Sequence, residues 1–483
     1  MLQYLQQEAN LTATENGAPA YQTTGSFCLD LFADIGAIRS VPEAEITARF
    51  AKAYAEDRDL AMKILFFGRD VRGGLGERRV FRVILRWLAD NAPDSVRKNL
   101  AYLPEYGRFD DLLALLETPC EADAVRLIRA QLEQDLASAG EISLLAKWLP
   151  SVNTSNKEAV RLGKLLAKRL GMTDAQYRKT LSRLRRKLHL LENHLREKDY
   201  TFDYAHQPSQ AMLKYRSAFW THDASRYSEF LHQVQQGKAA LHTGTLAPYE
   251  IVRACLFPQD SSPESSLSLD TAWNALPNFA GTENALVVVD GSGSMYSGGS
   301  PSPITAALSL GLYFAERNTG AFRDHFITFS RSPQLVRICG NDIAEKVWFC
   351  TRYNEVANTD LMAVFELLLR TAIHHSVPQS EMPSRLYIVS DMEFDSCVMH
   401  ADKTCFEAAR QRFAEKGYCL PDIVFWNVAS RNGHHPVTKN EQGVALVSGC
   451  TPRLFAMVAG GELSPCKVMM EILRSERYAL IAA

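Results

Sequence analysis

Residues 285–294 read Ala-Leu-Val-Val-Val-Asp-Gly-Ser-Gly-Ser. The apolar run Ala285–Asp290 carries no polar alternation. A strand of that kind is covered on both faces, as in a mainly parallel sheet with helices on either side. It ends in a turn that offers one carboxylate, Asp290, and two hydroxyls, Ser292 and Ser294. These are hard oxygen donors of the sort Mg²⁺ prefers. The two intervening glycines let the chain fold closely around an ion.

Outward from this point the pattern alternates between helix and strand. Helices are expected over 304–317, 360–373 and 406–415, and strands over 326–329, 386–390 (LYIVS) and 423–428 (IVFWNV). That order predicts a doubly wound α/β domain over residues 280–483, with its ligands at the carboxyl ends of the strands. Two further donors belong to the same edge. Thr359 stands at the start of a helix in Asn358-Thr359-Asp360, and Asp391 follows the LYIVS strand. Asp290, Ser292, Ser294, Thr359 and Asp391 are therefore expected to converge on one divalent cation. Glu393 and Asp395, just past Asp391, either tune that site or are exposed acids.

DGSGS, a TD pair about 70 residues later and a strand-terminal SD together resemble the metal-ion-dependent adhesion site (MIDAS) of a von Willebrand factor A domain. The resemblance implies Mg²⁺ or another divalent cation, with an open coordination position filled by water or by a carboxylate from a protein partner. It implies binding and no enzymatic activity. No activated nucleophile stands beside a base in the sequence. The alternative is an ordinary Ser/Gly turn after a strand.

Before the α/β region, residues 42–273 show apolar residues at helical spacing and almost no alternation. Expected helices include 44–67, 77–91, 121–137, 142–149, 156–170 and 173–196, broken by Gly, Pro and capping residues. This is the signature of a helical-repeat array, assigned to residues 1–275, with residues 1–40 leading into it. FPQDSSPESSLSLD, from Phe257, reads as a linker or exposed loop.

Two stretches of the array are basic. In 69–79, RDVRGGLGERR, three glycines break a helix, and Arg78, Arg82 and Arg86 then repeat at four-residue spacing, with Arg72 just before them. The stretch lacks the Gly-Lys-Ser/Thr ending of a Walker loop. Residues 157–198 hold thirteen Lys/Arg against four Asp/Glu. There Lys179, Arg183, Arg186 and Lys187 form a stripe suited to phosphate backbones. The opposing reading is a solvated helix face laced with ion pairs.

A helical array followed by an A domain resembles the Ro ribonucleoprotein superfamily, whose helical module, TROVE, forms a HEAT-like ring closed by the A domain. RDVRGGLGERRVFR, YLPEYGRFDDLL, AKWLPS and PSQAMLKYR look closer to a group of bacterial, fungal and plant relatives with a helical region and a C-terminal A domain. The resemblance implies an α + α/β protein that binds structured or misfolded non-coding RNA through basic faces. The A domain would recruit a protein partner through its metal. The alternative is a metal-dependent protein–protein adaptor without RNA binding. A third reading is an accessory to a separate ATPase.

Composition agrees with a globular chain. It has 483 residues, 46% hydrophobic, with a net charge of −2, so any positive surface is local. No segment is long and apolar enough to span a bilayer, and no secretory leader is evident at the start. Ten cysteines without a CxxC pair are expected to be reduced thiols in the cytoplasm. Cys397, His400 and Cys405 lack a fourth zinc ligand at normal spacing. His374-His375 and His434-His435 read as surface or loop pairs, and Trp87, Trp148 and Trp220 read as core.

Overall fold

A computed structural model describes residues 10–258, 262–330, 332–353, 360–395 and 405–483. The α/β region is built on a six-stranded sheet: β3 (Ala285–Asp290), β4 (His325–Phe329), β5 (Leu335–Arg337), β6 (Arg385–Ser390), β7 (Asp422–Asn427) and β8 (Val444–Ser448). Its order is β5-β4-β3-β6-β7-β8. All neighbours are parallel except the edge strand β5. The winding direction reverses between β3 and β6, so the switch point of the sheet lies at Asp290 and Ser390.

Alternate residues of the strands serve two different cores. Leu286, Val288, Leu386, Ile388, Ile423 and Phe425 pack with the helices Leu361–His375 and Cys405–Glu415. Val287, Val289, Tyr387, Val389, Val424 and Trp426 face the other way, into a core continuous with that of the helical region. The helix Pro303–Arg317 is buried from Pro303 to Ala315 because it lies between the sheet and the helices before it. Its Gly311 permits that approach, since a Cβ there would stand 2.3 Å from Val289 Cγ2.

The helical region comprises successive helices that pack mainly on their sequence neighbours. The stretch expected as one helix over 44–67 is two, Glu43–Glu56 and Arg58–Arg69. Asp57 separates them, and its carboxylate accepts from Leu60 N (2.9 Å) as the N-cap of the second. Likewise 173–196 divides into Asp174–Lys187 and Leu191–Glu197. Both ends of the region rest on the α/β part. Phe27–Asp34 meets β8, and Pro248–Leu256 meets Pro303–Arg317 and Ile343–Thr351.

Three segments depart from the sequence reading. The Ser/Pro-rich stretch is no linker beyond Ser262: Pro263–Asn274 is a helix, capped by Ser262 Oγ and fixed by the buried Leu269 and Trp273. Residues 11–21 do not join the helical array. They form a hairpin, β1 (Leu11–Ala13) with β2 (Pro19–Tyr21), bridged to Asp395 and His435 of the α/β part. His434 and His435 lie in a loop, one of the two readings, but are buried rather than on the surface. Each finds a carboxylate, Glu393 and Asp30 respectively.

The glycine-rich basic stretch builds the junction between the parts. Arg69 and Asp111 form a fully buried ion pair at 2.8 Å, joined by Arg82 Nε at 2.7 Å from the other Asp111 oxygen. Gly107 passes so close that a Cβ would lie 2.2 Å from Asp111 Oδ2. Next in sequence, the Asp70 carboxylate accepts from Arg477 and from the Tyr478 hydroxyl (3.1 Å) near the far end of the chain. Asp111→Ala strips two guanidiniums of their shared partner. It is expected to lower unfolding stability by about 3–5 kcal/mol, read from the urea midpoint.

Candidate functional site

The switch point gathers four of the five predicted donors. Asp290 ends β3 and is fully buried. Its Oδ1 accepts from Ser292 N (2.9 Å) and its Oδ2 from the Ser390 hydroxyl (2.5 Å). Ser292 Oγ and Ser294 Oγ are 3.0 Å apart, and the Ser294 hydroxyl also hydrogen-bonds to Asp391. Asp391 leaves β6 one residue beyond Ser390 and is likewise buried. The fifth, Thr359, lies outside the described residues. Its neighbour Asp360 caps the following helix by accepting from Ala363 N (3.0 Å).

Two buried carboxylates side by side are an electrostatic burden. Burial, then the charge of Asp391, raises the pKa of Asp290. Burial raises that of Asp391, opposed by the Ser294 hydroxyl and the Arg431 guanidinium. Anionic oxygens forced together with hydroxyls, at a strand edge, suit a small hard cation. Among the described residues no three His, Cys, Asp or Glu side chains are grouped to hold a metal. An ion at this edge would rest on the two carboxylates and the serine hydroxyls.

Further residues brace these donors. Ser390 ties Asp290 to β6, and its Oγ accepts from Met392 N (3.0 Å), where the backbone takes φ of 67°. That left-handed conformation is costly for a residue with a Cβ and marks a turn fixed by its surroundings. Arg431, four residues past β7, donates to Asp391 Oδ2 at 2.9 Å and reaches Glu15 of the hairpin at 3.3 Å. Glu393 is held below the ordinary carboxylate range although burial pushes it upward. His434, the Glu15 N–H and the Asn432 amide outweigh that burial. The site is therefore braced by a segment almost four hundred residues away in sequence. Ser390 and Glu393 were marked in the sequence beside Asp391; Arg431 and Asn432 were not, and their only signal is that they are polar residues just beyond a strand end.

The basic residues separate into committed and free. Arg82 is spent on Asp110 (2.8 Å) and Asp111, and Arg72 donates to Glu105 O (2.6 Å). Arg78 and Arg86 are exposed. Burial and the nearby Arg108 and Arg82 charges lower the pKa of Arg78. The Arg78-Arg82-Arg86 repeat is thus not a uniform free face, because Asp110 and Asp111 of the YGRFDDLL stretch fold back against it.

On Lys157–Arg169, Arg161, Lys164 and Arg169 pair with Glu158 and Glu117, Asp174, and Glu121 respectively. On Asp174–Lys187 the arrangement differs. Lys179, Arg183 and Arg186 are exposed and make no ion pair among the described residues, while Lys187 donates to Ser138 O (2.7 Å). The buried side of this helix is Tyr177, Leu181 and Leu184, so the stripe faces away from the core.

A family model described as a domain of unknown function, DUF2828, matches residues 14–128 and 122–276. The chain belongs to the DUF2828 family. A second domain of unknown function, DUF7788, matches residues 284–467, which include the strand-end site. An uncharacterised protein, L728, of Acanthamoeba polyphaga mimivirus is 30% identical over 517 residues, spanning 98% of this chain and 88% of that protein. The crystal structure of the Deinococcus radiodurans RO (RSR) protein is similar over 93% of each chain, with a TM-score of 0.37 and 12% identity. Among the described residues no helix is long and apolar enough to cross a membrane.

The raised pKa values of Asp290 and Asp391 mean that both groups take up protons on folding. Without a cation, stability should be fullest at acid pH near the ordinary carboxylate range and fall as pH rises through the folded values. In chelator, Asp290→Asn should be more stable than the parent at pH 8, by about 1–3 kcal/mol, and should flatten that pH dependence in thermal melts.

Proposed function

We propose that this protein is a non-enzymatic RNA-binding scaffold of the ribonucleoprotein kind, with a divalent-cation site that recruits a protein partner. The observation that carries the reading is the helix Asp174–Lys187. Its cations Lys179, Arg183 and Arg186 stand exposed without ion pairs among the described residues, on a chain whose net charge is −2. The neighbouring helix Lys157–Arg169 pairs three of its five cations, whereas this stripe pairs none among the described residues, which leaves it as a surface for an external anion. A phosphate backbone, binding with release of its counterions, is the anion of that form. The ligand proposed is structured or misfolded non-coding RNA, as the architecture-level resemblance implies. Arg78 and Arg86 could add phosphate contacts, whereas Arg72 and Arg82 serve mainly the fold.

The donors at the strand edge fit Mg²⁺ or another divalent cation held by Asp290, Asp391, Ser292 and Ser294, with Thr359 as the further hydroxyl. When bound, such an ion supplies an open coordination position for a carboxylate from a partner. The chain's own residues orient that position: Ser390 fixes Asp290, and Arg431 restrains Asp391. The described cysteines are all unpaired thiols, which supports assignment to the reducing cytoplasm.

Filter binding against salt tests the RNA reading. Affinity should fall steeply as salt rises, and Lys179→Glu/Arg183→Glu should weaken binding by about tenfold or more at low salt. Salt-independent binding, or none at low salt, would reject it. For the metal, saturating Mg²⁺ should stabilise the parent by about 2–3 kcal/mol at a hundredfold excess over its dissociation constant, and Asp290→Ala/Asp391→Ala should remove that gain. The buried carboxylate pair also favours a second reading, a metal-dependent adaptor. It would gain if Mg²⁺-dependent partner capture persisted in a protein that binds no RNA.

A further inference from the structure

Beside the exposed stripe, on the adjoining face of the same helix, lies a cavity of about 500 Å³ between Asp174–Lys187, Leu191–Glu197 and the loop after Trp148. That size falls within the range of about 300–1,000 Å³ usual for ligand pockets. Its helix contributes Arg178, Ser182 and Arg185, spaced four and three residues apart and hence on one face, and His189 follows just past the helix end. Four guanidiniums line it, those of Arg178, Arg185, Arg186 and Arg196, against one carboxylate, Glu197. Glu197 pairs with its exposed neighbour Arg196 at 2.9 Å, a contact of small energetic weight.

Arg185 is the unusual group. It is partly buried, and it donates to Ala146 O (2.8 Å), Leu149 O (2.7 Å) and Ser151 Oγ (2.7 Å). All three acceptors are uncharged, so the guanidinium is aimed and immobilised with no counter-charge. Burial lowers its pKa, with only Tyr177 acting the other way. A guanidinium has five N–H donors, so two remain for a further acceptor. Arg178 and Arg186 make no ion pair among the described residues. Tyr177 is buried with its hydroxyl on Pro150 O (3.0 Å), while Asn153, Ser182 and Asn193 supply neutral hydrogen-bonding groups. A partly buried cation held by neutral dipoles, and flanked by cations without ion pairs around a polar cavity, is complementary to a phosphate with a polar appendage.

We propose that this cavity seats one phosphorylated nucleoside unit of a single RNA strand, with its phosphate held by Arg178, Arg185 and Arg186 and its ribose or base among Asn153, Ser182 and Asn193. A duplex is too wide to enter, whereas an unpaired nucleotide can be splayed out of its strand. That the phosphate belongs to RNA rests on the reading above; that the cavity takes a nucleoside phosphate does not.

The test uses the full chain, a short mixed-sequence single strand, a hairpin duplex and uridine monophosphate. Ser182→Trp fills the cavity from an exposed helix position, Arg178→Glu reverses its charge, and Lys179→Glu/Arg183→Glu alters only the outer stripe. The two cavity variants are each expected to weaken single-strand binding by about tenfold or more and duplex binding by no more than about twofold. Uridine monophosphate should compete with the single strand, and the stripe variant should weaken both RNAs. If the cavity variants bind the single strand like the parent while the stripe variant loses it, the RNA reading stands and this proposal falls. If the parent binds no RNA but binds the mononucleotide, and Ser182→Trp abolishes that, the RNA reading falls and the phosphate site stands. Failure to bind either overturns both. Should a variant melt early, dicarbonyl labelling of Arg178 in the unaltered chain decides. Protection by the single strand supports the site, and unchanged labelling overturns it.

Discussion

Two adjacent residues of opposite charge, Arg69 and Asp70, hold the parts of this molecule together. Both are buried, and they face different partners. Arg69 binds Asp111 within the helical region, while Asp70 receives Arg477 and Tyr478 from near the end of the chain. A buried charge without its partner is far more costly than an exposed one. Each half of this dipeptide therefore demands a particular approach of another segment. Phe67 and Tyr106 pack edge-on and stacked against Tyr478, so the apolar contact and the ion pair enforce the same docking. The glycines of the same stretch allow the close passage that the charges require.

That docking explains why the helical region and one face of the sheet share a core. The face bearing Val287, Val289 and Trp426 is covered by Pro303–Arg317 and by Phe455 of Arg453–Val458, and the helices that precede the sheet in sequence pack on that layer and extend the same core. The strand-end site inherits its rigidity from this arrangement. Asp290 and Asp391 stand on neighbouring strands whose register is fixed by parallel pairing, and their mutual repulsion is absorbed by Ser390, Ser294 and Arg431. The amino-terminal hairpin adds Glu15 and Asn16 to the loop after β6, so this edge of the sheet is built from both ends of the chain.

On the helical side, the deciding contrast is between neighbouring helices. Lys157–Arg169 spends Arg161, Lys164 and Arg169 on Glu117, Glu121, Glu158 and Asp174. Asp174–Lys187 leaves Lys179, Arg183 and Arg186 without ion pairs among the described residues and turns Arg185 inward onto carbonyls. Similar composition thus yields a largely neutralised surface in one helix and an anion-seeking one in the next. The Arg78-Arg82-Arg86 repeat shows the converse. Its spacing is that of a basic face, and Asp110 with Asp111 neutralises its centre.

The sequence by itself determined the class of fold, because hydrophobic periodicity is local. The unbroken apolar run of β3 required a sheet covered on both sides. The run Glu121–Ala137, with apolar residues three and four apart, required a helix, found at those same bounds. It also determined four of the convergent donors, since Asp290, Ser292, Ser294 and Asp391 follow strands whose ends must lie on one edge. Tertiary structure alone decided which charges are spent. Asp111 claims Arg82, Arg431 claims Asp391, and His434 is drawn into the interior by Glu393, across separations of 29, 40 and 41 residues. Pairing at that range depends on how the elements dock, which no local spacing records. A cation in the sequence is only a charge, and whether it faces a carboxylate or solvent is settled when the core closes around it.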